Sequence, residues 1–148
     1  VRGPQVMKGY LNNDRATADT IDAEGWLHTG DIGHLDADGH LFVVDRLKEL
    51  IKFKGFQVPP AELEALLVAP RQIAGVAVIG VPDVGAGALP KAFVVTAPGQ
   101  SDPTLAEVQE FMGQHVASYK QIRLLEVVPA IPKSASGKIL RRELRDQS

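Results

Sequence analysis

Residues 132–142 form the part of this sequence whose residue types most clearly indicate chemistry. Lys138 follows a loop containing Ser134, Ser136 and Gly137, which should let the backbone move, and it precedes a basic stretch that favours a short helix. A lysine is a compact positive charge on a flexible stem, so it can reach an anion on another surface. We expect Lys138 to meet a phosphate or carboxylate oxygen. At ~4 Å and an effective dielectric constant of about 20, that attraction is about 4 kcal/mol, partly offset by desolvation.

Two simpler interpretations of Lys138 are a solvated helix start and a basic C-terminal tail. Neither accounts for the small residues that precede the lysine. A phosphate-binding loop of the Walker A type is excluded because it needs glycine at position 132 and serine or threonine after the lysine. Pro132 and Ile139 stand there instead.

A second basic segment contains Lys48, Lys52 and Lys54. The alternation of these lysines with apolar residues could simply mean that the segment is a strand with one solvated face. The residues that follow, Gly55 and the polar Gln57, favour a ligand contact, because glycine lets a backbone approach a ligand closely.

Asp31, in the segment Gly25–Asp31, has two interpretations that the residues alone leave open. An aspartate after Thr29 and Gly30 is common in turns. A carboxylate can equally accept hydrogen bonds from the two vicinal hydroxyls of a ribose, as it does in dinucleotide sites.

Three other patterns are dismissed as sites. Residues 36–39 resemble a calcium loop, but His34 occupies the first ligand position and position 12 is Asp45 rather than glutamate. Residues 85–87 lack the third glycine of a dinucleotide fingerprint. The four histidines show no metal spacing: His28, His34, His40 and His115.

The composition indicates a globular chain: 45% of its 148 residues are hydrophobic and 23% are charged. No apolar run approaches the ~18 residues of a membrane span, and no leader peptide is visible. With no cysteine, disulfides, thiolate zinc sites and cysteine nucleophiles are excluded, and a cytoplasmic location is expected. The net charge of −2 argues against a chain-wide nucleic-acid surface.

Hydrophobic patterning and turn signals predict an α+β fold. Residues 26–44 indicate a β-hairpin with a type I′ turn at Asp38-Gly39. Helices are predicted over 59–67, after a capping box formed by Thr104 and Glu107, and after Lys138. Strands are predicted over 75–81, 92–96 and 124–128, which gives a small domain with a three-stranded sheet flanked by helices. The natural boundary lies near Asp45, and the opening residues read as the middle of a longer chain.

Four ordered segments resemble the adenylate-forming superfamily of acyl-CoA synthetases, 4-coumarate–CoA ligases and beetle luciferases. They are Gly3–Tyr10 (GPQVMKGY), Gly25–Asp31 (GWLHTGD), Asp45–Gln57 (DRLKELIKFKGFQ) and Pro132–Lys138 (PKSASGK). The resemblance implies that residues 1–44 end a large N-terminal AMP-binding domain. Residues 45–148 would then form a mobile C-terminal lid that turns about a hinge at Asp45. The ATP phosphate loop and the acyl pocket would lie upstream, so the chain is expected to be a C-terminal fragment.

The resemblance also implies a role for each matching residue. Asp31, Arg46 and Lys138 would bind ATP or AMP. Lys48, Lys52 and Gln57 would contact the acyl-adenylate, and Lys54 and Gly55 would line the approach of the CoA thiol. Lys138 and Lys52 are the expected catalytic residues.

The implied reaction activates a carboxylic acid, in fatty-acid or related metabolism, with ATP and Mg²⁺, and then transfers the acyl group from AMP to coenzyme A. The fragment alone is expected to be inactive without its N-terminal domain. Two alternatives remain: a non-catalytic module that binds acyl-adenylate or CoA, and an adenylation domain that serves a carrier protein.

Overall fold

The computed structural model describes residues 1–148, which divide into two compact units, Val1–Asp31 and Ile32–Ser148. The first unit contains helix α1 (Asp14–Thr20), which the sequence analysis did not predict. The side chain of Asn13 accepts a hydrogen bond from the backbone N–H of Ala16 and so caps this helix. An antiparallel bridge between Ile21 and Leu27 closes the loop after it.

A two-stranded hairpin follows, formed by β1 (Asp31–Leu35) and β2 (Leu41–Arg46). This confirms the predicted hairpin, but the type I′ turn was wrong. Gly39 has a φ of +84°, whereas Asp38 is not among the residues with positive φ. Asp36 instead accepts hydrogen bonds from the backbone N–H groups of Asp38 and His40 through its carboxylate. These hydrogen bonds stabilise a turn in which only Gly39 is left-handed, whereas a type I′ turn needs two left-handed residues.

The second unit is built on a mixed five-stranded sheet. Its strands are β3 (Ile51–Phe53), β4 (Phe56–Val58), β5 (Ile73–Asp83), β6 (Gly87–Thr96) and β7 (Leu124–Val127). The path runs β4-β3-β6-β5, and β7 pairs with β6 in parallel. The α+β class is confirmed, but the sheet has five strands rather than the predicted three. The basic segment forms a hairpin and adds the two further strands.

Three helices cover the sheet: α2 (Pro60–Leu67), α3 (Leu105–Gly113) and α4 (Arg141–Asp146). All three were predicted, and the Thr104–Glu107 capping box is present. None of the helices is long and apolar enough to cross a membrane.

Side chains of β5 alternate between two hydrophobic clusters because successive residues of a strand point to opposite faces. Val76 and Val78 belong to the larger cluster, with residues of α2 and α3. Ala77 and Ile79 belong to a smaller cluster that contains Leu144 of α4. Both faces of the sheet are therefore covered, and α4 lies on the face opposite α2 and α3.

Candidate functional site

Lys138 lies at the end of a short, tightly bonded loop on the α4 face of the sheet. Lys133 and Ile139 form an antiparallel bridge that closes the loop. Within it, the N–H of Ser134 donates to the carbonyl of Lys138 at 2.8 Å, and the N–H of Lys138 donates to Oγ of Ser134 at 3.2 Å. The side chain of Lys138 is exposed. In this conformation the loop is held by its serine hydroxyl and backbone groups, and its movement stays a prediction.

Both ends of the Lys138 loop are anchored in the smaller hydrophobic cluster. Ile131 and Ile139 pack against the buried residues of that cluster, which include Ile79 and Phe93. The loop thus presents a charged side chain from an apolar base.

Lys52 and Gln57 lie opposite each other in the hairpin of β3 and β4. Because the neighbouring Ile51 and Phe53 point into the core, the side chains of Lys52 and Gln57 share the exposed face. Two of the three residues that the family resemblance assigns to an acyl-adenylate are thus brought together.

Lys54 and Gly55 form the two-residue turn of this hairpin. Their φ angles are +49° and +83°, and Phe53 pairs with Phe56 across them. Two positive φ angles are the signature of a type I′ turn, so this turn, rather than Asp38-Gly39, has that geometry. The N–H of Lys54 donates to the carbonyl of Ala86 at 2.8 Å, which fixes the turn against the loop between β5 and β6.

Two neighbouring cavities contain most of the other predicted residues. Arg46 and Lys138 line a cavity of about 340 Å³. Lys48 and Lys52 line another of about 400 Å³. Glu49 and Arg145 line both cavities and form an ion pair with each other. The structure therefore brings the two basic segments to adjoining sites.

A third cavity, of about 710 Å³, lies beside the Lys54 turn. Phe56 stacks on Tyr119 at its wall, with ring centroids 4.4 Å apart. Arg123 also lines it, with its guanidinium 5.1 Å from the centroid of the Phe53 ring and its buried Nε without a hydrogen-bond partner. The sequence analysis did not identify Tyr119 or Arg123, because they come from a segment distant from the basic motifs.

Asp45, the predicted hinge, lies near the end of β2 and is half-buried. Its carboxylate accepts hydrogen bonds from the N–H of Arg46 at 2.7 Å and from the N–H of Ala61 at 3.1 Å. Ala61 is in the first turn of α2, whose N-cap position is occupied by Pro59 with no side-chain cap. Asp45 thus supplies from β2 the acceptor that Pro59 cannot provide.

Glu64 of α2 and Arg141 of α4 form a partly buried ion pair that the sequence did not reveal. Nη2 of Arg141 lies 2.7 Å from both carboxylate oxygens of Glu64. Oε1 of Glu64 also accepts from the N–H of Val78 at 2.8 Å. Burial raises the pKa of Glu64, although the Val78 N–H and the Arg141 charge act in the opposite direction.

Asp31 belongs to the first unit, where its N–H donates to Oγ1 of Thr29 at 3.1 Å. In that unit the ring of His28 lies against Asp22, with Nε2 and Oδ2 3.0 Å apart. The N–H of Trp26 and the ring of His28 lower the pKa of Asp22. The nucleotide role of Asp31 stays a prediction.

The sequence analysis dismissed a histidine metal site, but the hairpin turn contains one cluster of side chains that could hold a metal ion. Donor atoms of Asp36, Asp38 and His40 lie within 4.8 Å of one another. The Asp36 carboxylate already accepts from two backbone N–H groups and lies 3.1 Å from the His40 ring. These bonds, with that from the N–H of His40 the largest cause, lower the pKa of Asp36. A turn-stabilising aspartate accounts for this arrangement.

Comparison with known proteins identifies the family of the second unit. Residues 62–138, about half of the chain, match the model of the AMP-binding enzyme C-terminal domain. The chain is 61% identical over 145 residues to 4-coumarate–CoA ligase 2 of Oryza sativa subsp. japonica. That alignment covers 98% of this chain and 25% of the rice protein. The chain thus spans about a quarter of the length of this relative.

Solved structures agree with this match. ATP-bound MatB from Rhodopseudomonas palustris superposes with a TM-score of 0.92 at 30% identity, over 99% of this chain and 29% of that one. The o-succinylbenzoate CoA synthetase MenE from Bacillus subtilis, in complex with its acyl-adenylate intermediate, gives a TM-score of 0.88 at 35% identity. The alignment covers 98% of this chain and 29% of the MenE chain.

Proposed function

The chain belongs to the family of AMP-binding enzyme C-terminal domains, and we propose that it is the C-terminal part of an AMP-forming acid–CoA ligase. In the first half-reaction a carboxylate oxygen attacks the α-phosphate of MgATP, which gives acyl-AMP and pyrophosphate. In the second, the thiol of CoA attacks the acyl carbon, loses its proton and displaces AMP. The fragment alone would be inactive.

Lys138 is proposed to act in the first half-reaction. Negative charge accumulates between the incoming carboxylate and the α-phosphate, and an ammonium group there stabilises the transition state more than the ground state. Arg46 lines the same cavity and would bind the nucleotide. The ribose role of Asp31 rests on the family resemblance alone. The observation that carries this proposal is the exposed Lys138 on a tightly bonded loop beside Arg46.

The Lys52–Gly55 hairpin is proposed to act in the second half-reaction. Lys48, Lys52 and Gln57 would contact the acyl-adenylate, and the turn at Lys54 and Gly55 would line the thiol approach. The cavity beside Lys54 supports this role, because it offers an aromatic wall and the cation of Arg123 for an anionic, ring-containing ligand.

Two basic surfaces can serve one nucleotide in turn only if the lid rotates between the half-reactions. We propose that residues 1–44 belong to the preceding AMP-binding domain and that the lid turns about Asp45. The hairpin supports this assignment, since four consecutive apolar residues, 41–44, are exposed on it. Such a surface is typical of an element that packs against further protein.

The acid is proposed to be of the 4-coumarate type rather than a fatty acid, because the rice relative is named for that substrate. The Mg²⁺ would enter with ATP and be held outside this chain. A cytoplasmic location remains a prediction of the sequence.

The test is Lys138→Ala in the full-length ligase that we propose contains this chain, with Lys133→Ala as the matched control. Lys133 is exposed at the other end of the same loop. We expect Lys138→Ala to slow acid-dependent ATP–pyrophosphate exchange by about 10²–10³-fold. Thioester formation from supplied acyl-AMP should change much less. Equal losses in both half-reactions, or an equal loss in the control, would contradict the assignment.

A further inference from the structure

Helix α4 is joined to the rest of the second unit by two ion pairs. Arg141, three residues after Lys138, binds the carboxylate of Glu64 in α2. Arg145, one turn further along, binds Glu49, which follows Lys48 directly in sequence. One short helix therefore connects the loop of Lys138 with the segment that begins at Lys48.

The helix depends on these contacts for its position. It has six residues, no side-chain cap and one buried residue, Leu144. A helix of this length is not stable by itself in water. Its place on the sheet is set by Leu144 and by the two arginines, which can donate from a rigid, planar group.

The ion pair between Arg145 and Glu49 is shared by the two cavities of the candidate site. Both residues line the cavity of Arg46 and Lys138 and the cavity of Lys48 and Lys52. A shift of α4 would therefore move Lys138 relative to Arg46, which lines the same cavity. A displacement of ~1 Å can cost about 10²-fold in rate when a reaction depends on alignment.

We propose that the pairs Arg141–Glu64 and Arg145–Glu49 are positioning pairs that hold the Lys138 loop beside Arg46 for adenylation. None of the four partners needs to touch substrate in this role. The inference rests on the proposed function, because it assumes that Lys138 acts in the first half-reaction. It adds the residues that hold the cation in place.

The main test is Arg145→Met in the full-length ligase. This change removes the bond to Glu49 at a pair whose side chains are 40% and 25% exposed, so folding should survive. We expect kcat of acid-dependent ATP–pyrophosphate exchange to fall at least ~10-fold, with KM for ATP within about twofold. Acyl transfer from supplied acyl-AMP should stay within about twofold.

Two further variants separate positioning from general damage. The exchanged pair Glu49→Arg/Arg145→Glu should recover most of the lost exchange rate, because the ion pair is restored with the two charges exchanged. Asp146→Asn is the matched control on the same helix, because the side chain of Asp146 is 71% exposed and lines neither of the two cavities. It should leave both half-reactions within about twofold.

The double variant Glu64→Gln/Arg141→Met tests the other ion pair without leaving an unpaired buried charge. It should give the same selective loss of exchange. Equal loss in both half-reactions, no loss, or no recovery by the exchanged pair would overturn the positioning role. Failure of the proposed function is distinguishable, because Lys138→Ala would then leave exchange intact. If Lys138→Ala abolishes exchange while Arg145→Met does not, only the positioning inference is refuted.

Discussion

Replacement of Arg141 by methionine should destabilise the second unit through the charge that it leaves behind on Glu64. The side chains of Arg141 and Glu64 are only 16% and 14% exposed. Methionine fills a similar volume but cannot balance the carboxylate. Removal of one partner of a buried ion pair costs about 3 kcal/mol of folding stability, mostly as the desolvation of the remaining charge.

The loss should depend on pH in a direction that follows from the pKa of Glu64. Burial already raises this pKa, and Arg141 opposes the rise. Without Arg141 the pKa rises further, so the folded variant binds a proton more tightly than the unfolded chain. Its stability relative to the parent therefore falls as pH increases through the raised pKa, and it recovers below the ordinary pKa of a glutamate, where Glu64 is neutral in both states.

The assay is urea denaturation followed by far-UV circular dichroism, at about pH 7.5 and about pH 4. The double variant Glu64→Gln/Arg141→Met should stay within about 1 kcal/mol of the parent at both pH values, because a neutral pair avoids the desolvation cost. Arg142→Met is the matched surface control. The reasoning would be refuted by an Arg141→Met loss of equal size at both pH values, or by a double variant no more stable than the single one.

Two further predictions concern backbone positions near the site. Asp45→Ala removes the acceptor for the Ala61 N–H and should cost about 1 kcal/mol of folding stability. Asp45→Asn keeps an acceptor oxygen and should cost less. Urea denaturation of both variants measures the difference. Gly55→Ala should cost about 1 kcal/mol because of its φ of +83° alone, since a Cβ there meets nothing within 4 Å. Gly87→Ala, with a φ of +80° and a Cβ placed 2.9 Å from the carbonyl oxygen of Lys52, should cost clearly more in the same measurement. Equal costs at the two glycines would contradict this ranking.

The local elements could be predicted because their signals are local. The capping box of Thr104 and Glu107 and the apolar run of β5 act over a few residues, and both are found in the structure. The turns were less predictable. Both Asp38-Gly39 and Lys54-Gly55 fit a tight turn by residue type, but neighbouring bonds from Asp36 and to Ala86 decide which one takes the type I′ form.

The amino-acid sequence by itself determined which residues we propose for the chemistry: a lysine after a serine- and glycine-containing loop, and three lysines before a glycine. Those properties depend on residue type and close spacing. Only the tertiary structure decided that Arg46 shares a cavity with Lys138 and that Glu64 and Glu49 bind α4. The partners in these ion pairs are 77 and 96 residues apart in the chain. Such pairings follow from how the sheet and helices pack, because no short-range pattern relates residues that meet only after folding.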